Sequence, residues 1–404
     1  QSLSRDSLFR SMSLGDSSFA GGATSACVEI ARRLVPKDRT EPTGAEAWSA
    51  WLECVGAIGL DKQRKDRVVL QALDALLRSE QDARQDAQAA QLHLPDSHFQ
   101  DLWRALHVHN RLFQSEGKMR YGHFPGVYQG QIFGIEEGWN LTALAMLGQG
   151  EIAQRLLAST FFEAEFLKKE GQHHQYRNGL CIVYLWEIYQ LTHDQQLLRA
   201  LYPSVVESAR WIIDRLRSTR TEEQGERPPH FGLMPKHTYG GDLSHPAYSL
   251  YGSSACWRGL RDAALVAKAL GQSADATEFA NEAALARRHM HEAAARIFKH
   301  SGKPPFLPFQ VDEPGDEPEA RDYHQLFASM LLETALFGWN GRFARSITDY
   351  LQQTGRLVVG TARFDQWYDR LGIDAEYTRG VQLAHLCRRD FDRFWLGVVG
   401  QVGL

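Results

Sequence analysis

Residues 178–217 read NGLCIVYLWEIYQLTHDQQLLRALYPSVVESARWIIDRLR, in which two apolar runs flank a short polar turn. In the second run, apolar residues recur at steps of one, three and four: Leu197, Leu198, Leu201, Val205, Val206, Ala209, Ile212, Ile213 and Leu216. This spacing places them on one face of an α-helix. The stretch therefore predicts a helical hairpin, with helices over 178–192 and 195–217 joined by a tight turn.

The same arrangement recurs along the chain and predicts an all-α fold. Six helix pairs are predicted, at 62–90 with 97–115, 136–147 with 150–169, 178–192 with 195–217, 249–270 with 273–297, 322–338 with 341–353, and 376–388 with 390–400. Short turns, often with Gly, separate the two helices of a later pair. Long connections join successive pairs, at 116–135, 170–177, 218–248, 298–321 and 354–375. Strand-like alternation is scarce, with one short exception at 356–359.

Six hairpins with short turns at one end and long loops at the other predict a closed (α/α)6 barrel. Its long loops would gather into a cleft at one rim. The alternative is an open helical array such as a solenoid, but a solenoid has similar repeats at a fixed period, and the sequence has none. The barrel is predicted over 62–404, and residues 1–61 are predicted to form an N-terminal arm and accessory helices.

The composition argues against several classes of protein. Of the 404 residues, 43% are hydrophobic, which is ample for a large core. Lys and Arg number 45 and Asp and Glu 49, so the net charge of −4 argues against a nucleic-acid partner. No stretch reaches the apolar length of a membrane span, so no membrane association is predicted. The sequence predicts neither the oligomeric state nor the compartment.

No motif predicts a metal ion or a cofactor. The five Cys are scattered and form no CxxC pair, so neither a zinc site nor a disulfide framework is expected. The adjacent His173 and His174 do not share a helix face, which makes them a poor metal pair. A P-loop, a GxGxxG after a strand, HExxH and GxSxG are all absent from the sequence.

The unusual residues lie in the long loops, which is where rigid scaffolds tend to carry function. The first cluster is residues 121–139, YGHFPGVYQGQIFGIEEGW, a Gly-rich and aromatic approach to a helix. Glu136 and Glu137 fall in the first turn of that helix, where acids also simply complement the helix dipole. Their aromatic neighbours favour function, because a carboxylic acid beside apolar rings can keep its proton and act as a general acid. The two lie about 100° apart on the helix, so we expect only one to face the cleft.

Three further loops, 172–178, 231–251 and 363–379, concentrate aromatic, His and acidic residues. Asp242 and Asp365 are the carboxylates in them that we consider for catalysis. Each loop also has a purely structural interpretation: 172–178 as a solvated polar loop, and Asp242 as a turn residue that bonds to its own backbone. Glu376 alternatively lies in the first turn of the last helix pair, behind an N-cap at Asp374.

Three segments of the chain resemble the six-hairpin (α/α) barrel glycosidases of bacteria. They are YQGQIFGIEEGW at 128–139, the motifs GLMP, YGGD and YSLY between 232 and 251, and YTRGVQLA at 377–384. The likeness covers roughly residues 60–404. In that group a pair of rim carboxylates cleaves a glycosidic bond, often with inversion. Related chains commonly continue past the last hairpin, where a functional acid can lie.

The resemblance implies a carbohydrate substrate and assigns roles to residues. Glu137 or Glu136 corresponds to the acid that opens an inner helix, with Asp365 or Asp242 as its partner. Sugar rings are expected to stack on four aromatic residues: Trp139, Trp367, Tyr239 and Tyr251. Sugar hydroxyls or an acidic sugar are expected to be bound by Arg177, His173 and His237. Further contacts with substrate are expected from Tyr128, Gln131 and Glu376.

Two other functions remain open at the level of the sequence. A polysaccharide lyase or sugar epimerase on the same scaffold would abstract a proton with Tyr or His, and both residue types are frequent in the loops. A barrel that binds carbohydrate without cleaving it would need no close carboxylate pair. The fold alone does not choose among these functions, because function depends on the site.

Overall fold

The computed structural model describes residues 132–162, 175–237, 246–312, 329–367, 370–374 and 376–403, together with short stretches between 99 and 120. All of these residues belong to one compact unit, Ala89–Leu404. The predicted arm and accessory helices at 1–61, and the first predicted helix at 62–90, lie outside the described residues. The predicted domain boundary at 61/62 therefore stays a prediction.

Helices dominate the described residues, as the sequence predicts. In chain order they are α1 Glu136–Met146, α2 Gly150–Phe161, α3 Arg177–Thr192, α4 Gln195–Ser218, α5 Leu250–Ala269, α6 Ser273–Ile297, α7 Arg342–Gln353, α8 Arg379–Cys387 and α9 Phe391–Gly403. Most ends agree with the predicted bounds to within a few residues. Across the described residues, no helix combines the length and apolar character that crossing a membrane requires.

Local chemistry determines the short turns inside the hairpins. Between α3 and α4, His193 adopts a left-handed backbone with φ of 54°, and the Asp194 carboxylate accepts hydrogen bonds from the N–H groups of Gln196 (2.8 Å) and Leu197 (3.1 Å). Asp194 is thus the N-cap of α4. Between α5 and α6, Gly271 has φ of +75°, a conformation that glycine adopts without steric cost.

Two predicted helices end earlier than the apolar pattern suggests. α2 ends at Phe161, although the pattern predicts helix to residue 169. Residues 329–333 are helical, but the chain then turns, with positive φ at Ala335 and Gly338, so the predicted end at 338 is too late. The reason is that apolar periodicity reports which residues are buried and not where the helical hydrogen bonds stop.

The first helices of successive hairpins pack side by side. α1 packs against α3 and α3 against α5, and each also packs against the second helix of its own hairpin, which is α2, α4 or α6. α3 and α5 meet backbone to backbone, since a Cβ on Gly259 would overlap the Cα and carbonyl of Gly179. Glycine at both positions therefore permits this close approach of the two helices.

A small antiparallel sheet replaces most of the connection that was predicted as a long loop at 354–375. It consists of β3 Leu357–Val358, β4 Thr361–Trp367 and β5 Arg370–Asp374, in that order. An earlier two-stranded pair, β1 Gln114–Ser115 with β2 Lys118–Met119, begins where helix was predicted up to residue 115. The sequence prediction noted strand-like alternation only at 356–359 and was wrong about the rest of 354–375. A bulge between Phe364 and Trp367 interrupts the register of β4 with β5, and such a break hides strand alternation in the sequence.

Candidate functional site

The first helices of the hairpins begin where the long loops end, and side chains at these starts converge. α1 begins at Glu136, α3 at Arg177 and α8 at Arg379. Tyr377 and Glu333, which are distant from α1 in sequence, make hydrogen bonds with residues of α1. The group that we call the rim cluster consists of Glu136, Glu137, Trp139, Arg177, Glu333, Tyr377 and Arg379.

Glu136 is a buried carboxylate at the first residue of α1. Only 4% of its surface is exposed, and its Oε1 accepts a 2.6 Å hydrogen bond from the Tyr377 hydroxyl. Tyr377 lies in the short 3-10 helix Glu376–Thr378, directly before α8. The contact joins the starts of α1 and α8. An acid held next to a phenolic hydroxyl is chemically suited to proton transfer.

Glu137 is also buried, but both of its oxygens bind the preceding loop. Its Oε1 accepts from the Phe133 N–H at 3.1 Å, and its Oε2 accepts from the Gly134 N–H at 2.8 Å. Burial raises the pKa of the Glu137 carboxyl above 4.5, and the backbone N–H groups and Arg177 counteract that rise only in part. Glu137 therefore holds the entry into α1 in place.

The two glutamates thus have different surroundings, as their separation around the helix predicts. Glu136 contacts a side chain from the last hairpin, whereas Glu137 bonds to the backbone of its own loop. The loop contacts of Glu137 leave Glu136 as the better candidate for a proton donor. Which of the two acts in catalysis remains a prediction.

Arg177 supports the same loop from the other side. It is the first residue of α3, it is buried, and its Nε donates to the Phe133 carbonyl at 3.0 Å. Burial lowers the pKa of its guanidinium to about 10, so it stays charged at neutral pH. The sequence prediction assigned Arg177 to substrate, but the described contact holds the loop and favours a structural role.

Glu333 is a site residue that the sequence analysis missed. It is the last of the helical residues 329–333, in the segment SMLLETALF, and its Oε2 accepts from the Trp139 indole N–H at 3.0 Å and from an Arg379 N–H at 3.1 Å. Burial raises the pKa of the Glu333 carboxyl above 4.5, although Arg379 and Trp139 oppose the rise. A signal was available, since a lone carboxylate inside an apolar helical run is unusual.

Trp139 lies at the centre of the rim cluster and is half-buried. The guanidinium carbon of Arg379 lies 5.5 Å from the centre of the Trp139 ring, within the range of a cation–π contact. The Tyr377 ring meets it edge-on, with centroids 6.0 Å apart and planes at 68°. Its orientation is therefore defined by Arg379, Tyr377 and Glu333 together.

Charged residues of α3 and α5 support the segment that carries Glu333. Arg258 donates to the Glu333 carbonyl at 2.8 Å and forms a short ion pair with Glu187. Glu187 in turn accepts a 3.1 Å hydrogen bond from the Thr142 hydroxyl of α1. These contacts tie three helices to the base of the rim cluster.

A tight contact just below the rim cluster leaves no room for a side chain at Gly138 of α1. A Cβ on Gly138 would overlap the ring of Tyr184, which is buried and donates from its hydroxyl to the Ile135 carbonyl at 3.2 Å. Burial raises the pKa of the Tyr184 phenol well above 10, so it stays protonated. Gly138 thus lets α1 start directly above this ring.

Two other predicted site residues, Tyr251 and His237, make structural contacts in the described part of the chain. Tyr251 is only 3% exposed and packs its ring against Tyr176 with centroids 5.6 Å apart, which does not favour its predicted role as a platform for sugar. His237 pairs its backbone with Ala247 in an isolated β-bridge. Both assignments remain predictions.

The remaining predicted residues are described in part or not at all. Asp365 and Trp367 belong to β4, with Asp365 at the bulge, and Glu376 begins the 3-10 helix before α8; their side chains lie outside the description. Predicted site residues that fall wholly outside it are Tyr128, Gln131, His173, Tyr239 and Asp242. Within the described residues, no group of three or more His, Cys, Asp or Glu side chains could hold a metal ion.

The comparisons with known proteins show a likeness in fold. No protein-family model and no curated protein matches the chain at a significant level. A solved structure that is similar is the crystal structure of a GH78 family rhamnosidase of Bacillus sp. GL1, with a TM-score of 0.50 and 13% sequence identity. The similarity covers 78% of this chain but only 31% of the rhamnosidase, so the chain corresponds to less than a third of that protein.

Proposed function

We propose that the chain is a glycoside hydrolase built on an (α/α)6 barrel, with its cleft at the rim where the long loops meet. Two observations support the scaffold: successive hairpins whose first helices pack side by side, and the similarity in fold to part of a rhamnosidase. The observation that carries the chemistry is the buried Glu136 carboxylate with the Tyr377 hydroxyl 2.6 Å away, next to the half-buried Trp139.

In this proposal Glu136 is a protonated general acid: Oε1 accepts the hydrogen bond from Tyr377, and the proton on Oε2 passes to the leaving glycosidic oxygen. Trp139 stacks on a sugar ring, because flat apolar faces of sugars bind aromatic rings. A second carboxylate activates water on the opposite face of the sugar. Inversion requires the two carboxyl groups to lie about 6.5–9.5 Å apart, whereas retention requires about 5–5.5 Å.

Asp365 is the better supported of the two predicted partners, Asp365 and Asp242. Its strand, β4, is tied to the segment that contacts Glu136, since the Ala362 N–H donates to the Thr378 hydroxyl at 2.9 Å. Thr378 is the neighbour of Tyr377 in the chain. Bulges such as the one at Asp365 are frequent next to active sites.

A panel of aryl glycosides and plant and bacterial oligosaccharides tests the proposal, with wild type, Glu136→Gln and Glu137→Gln compared. We expect Glu136→Gln to keep its circular dichroism spectrum and to lose about 10²–10⁴-fold in kcat, the contribution of a general acid. Glu137→Gln should lose stability and keep more activity. The proposal is contradicted if wild type cleaves no glycoside of the panel, or if Glu136→Gln is fully active.

The contact between Tyr377 and Glu136 also suits a lyase, the second candidate. In that reaction the Tyr377 hydroxyl would pass its proton to the Glu136 carboxylate, take a proton from the carbon beside a sugar carboxyl group, and then donate it to the leaving glycosidic oxygen. Incubation with uronic-acid polysaccharides separates the two functions, because a lyase forms an unsaturated product that absorbs ultraviolet light. A hydrolase releases new reducing ends without that absorbance.

A further inference from the structure

Glu333 is a costly residue for the fold to keep. Its side chain is 11% exposed, and among the described residues Oε2 accepts two hydrogen bonds whereas the buried Oε1 accepts none. A buried carboxylate that is bonded on one side only opposes folding, and an apolar residue of similar size costs less. The position therefore calls for an explanation other than stability.

The contacts of Glu333 supply that explanation. One oxygen atom, Oε2, receives both the Trp139 indole N–H and an Arg379 N–H, and the guanidinium of Arg379 also lies at 5.5 Å from the centre of the Trp139 ring. Trp139 and Arg379 are thus mutually oriented through one acceptor. If Glu333 were apolar, the indole could rotate about its side-chain bonds and the guanidinium could leave the ring.

We infer that Glu333 is a positioning residue of the candidate site, which sets the orientation of the Trp139 ring and of Arg379 for substrate binding. The part of this inference that concerns substrate rests on the proposed glycosidase function. The part that concerns the geometry of Trp139 does not. Glu333 acts through Trp139 and Arg379, so its removal should weaken binding of the sugar more than it slows the chemical step.

The experiment uses the whole chain with Glu333→Gln, Glu333→Ala, Trp139→Phe and the double variant Glu333→Ala/Trp139→Phe. Gln is nearly isosteric and keeps one carbonyl oxygen as an acceptor, so it remains informative if Ala fails to fold. Glu282→Gln is the matched control, because Glu282 also accepts hydrogen bonds from arginines, Arg217 and Arg220, but lies on α6 outside the rim cluster.

The first readout is near-ultraviolet circular dichroism, which needs no activity. The spectrum of Trp139 is obtained as wild type minus Trp139→Phe, and again in the Glu333→Ala background. We expect this difference spectrum to change in shape when Glu333 is absent, whereas the whole spectrum of Glu282→Gln should match that of wild type. An unchanged Trp139 spectrum overturns the inference, whatever substrate the protein cleaves.

The second readout is steady-state kinetics on the aryl glycoside that the wild type cleaves best. We expect KM to rise about tenfold in Glu333→Ala and less in Glu333→Gln, with kcat within about threefold, as loss of uniform binding predicts. The double variant should raise KM no more than about twofold beyond Trp139→Phe, because both changes remove one interaction. Additive effects, or a loss of kcat at constant KM, contradict a positioning role.

The two proposals fail in different ways. If the wild type cleaves no glycoside but the Trp139 spectrum responds to Glu333, the glycosidase proposal is wrong and the geometric inference holds. If Glu136→Gln abolishes activity while Glu333→Ala changes neither KM nor the spectrum, the glycosidase proposal holds and the inference about Glu333 is wrong.

Discussion

The two ends of the hairpins are held by different kinds of contact. At the end where α3 meets α4, local contacts near the surface hold the chain. At the opposite end, buried charged side chains hold the starts of α1 and α3. The turn at His193–Asp194 is stabilised by residues two or three positions apart in sequence. At the other end, Glu136 bonds to Tyr377, and Trp139 bonds to Glu333, across most of the described chain.

The difference indicates which end serves function. Caps and turns contribute stability at little cost, because their polar groups stay near water. The largely buried carboxylate of Glu333 opposes folding through loss of hydration, so the fold keeps it for a reason other than stability. Three predictions test this contrast between the rim and the turns.

Gly138→Ala and Gly271→Ala compare a glycine at each end. A Cβ at Gly138 would overlap the buried Tyr184 ring, whereas a Cβ at Gly271 meets no atom within 4 Å and suffers only from the backbone φ of +75°. We expect Gly138→Ala to lower the free energy of unfolding by about 3 kcal/mol and Gly271→Ala by about 1 kcal/mol. Urea denaturation measures both.

Gly252→Ala is the control for the comparison of Gly138 with Gly271. Gly252 lies in the first turn of α5, and a Cβ there would be 3.5 Å from the nearest atom, an ordinary contact. Gly252→Ala should therefore change stability by less than about 0.5 kcal/mol. If Gly138→Ala lowers the free energy of unfolding no more than Gly252→Ala does, a Cβ at position 138 does not overlap the Tyr184 ring.

Glu137→Gln and Glu282→Gln should shift stability with pH in opposite directions. Burial raises the pKa of Glu137 above 4.5, so the folded state holds that proton longer and wild type loses stability as pH rises from about 4.5. Partial burial also acts to raise the pKa of Glu282, but hydrogen bonds from Arg220 and Arg217 outweigh it and hold the pKa below 4.5. The stabilisation by Glu282 is therefore present above pH 4.5 and lost as pH falls.

Urea denaturation between pH 3 and 8 measures the difference in unfolding free energy between each variant and wild type. For Glu137→Gln this difference should move in favour of the variant as pH rises from about 4.5. For Glu282→Gln it should move against the variant as pH rises towards 4.5. Parallel curves for the two variants would contradict the contrast between the rim carboxylate Glu137 and the arginine-paired, partly buried carboxylate Glu282.

Asp194→Ala is the smallest of the three effects. It removes the N-cap of α4, and loss of such a cap costs about 1 kcal/mol. Because Asp194 lies at the turn end, activity on any glycoside that wild type cleaves should stay within about twofold. Thermal denaturation and an activity assay check the two parts, and a large loss of activity would mean that the turn end also serves the site.

Much of the fold could be predicted from the sequence because its signals are local. The apolar stripe of α4 and the Gly and Asp residues at the turns act within a few residues of one another. Periodicity does not show where a helix stops, so the ends of α2 and of the helical residues 329–333 were misplaced. The sheet β3–β4–β5 was missed because a bulge breaks its alternation.

The candidate site could be predicted only in part. The Gly-rich aromatic approach to α1 correctly indicated that Glu136 and Glu137 lie in the first turn of a helix. Glu333 was overlooked because all candidates came from the long loops and the first turns of the helices that follow them, whereas Glu333 lies within the predicted helix 322–338. Tyr251 was selected for its residue type, and sequence cannot tell a buried ring from an exposed one.

The sequence by itself therefore determined the helices, their pairing into hairpins and the acidic start of α1, since backbone hydrogen bonding and side-chain spacing are local properties. Tertiary structure alone decided that Tyr377 donates to Glu136 and that Glu333 joins Trp139 to Arg379. These contacts join residues that lie far apart in sequence. Their partners are chosen by how the helices pack and by which charges that packing removes from water.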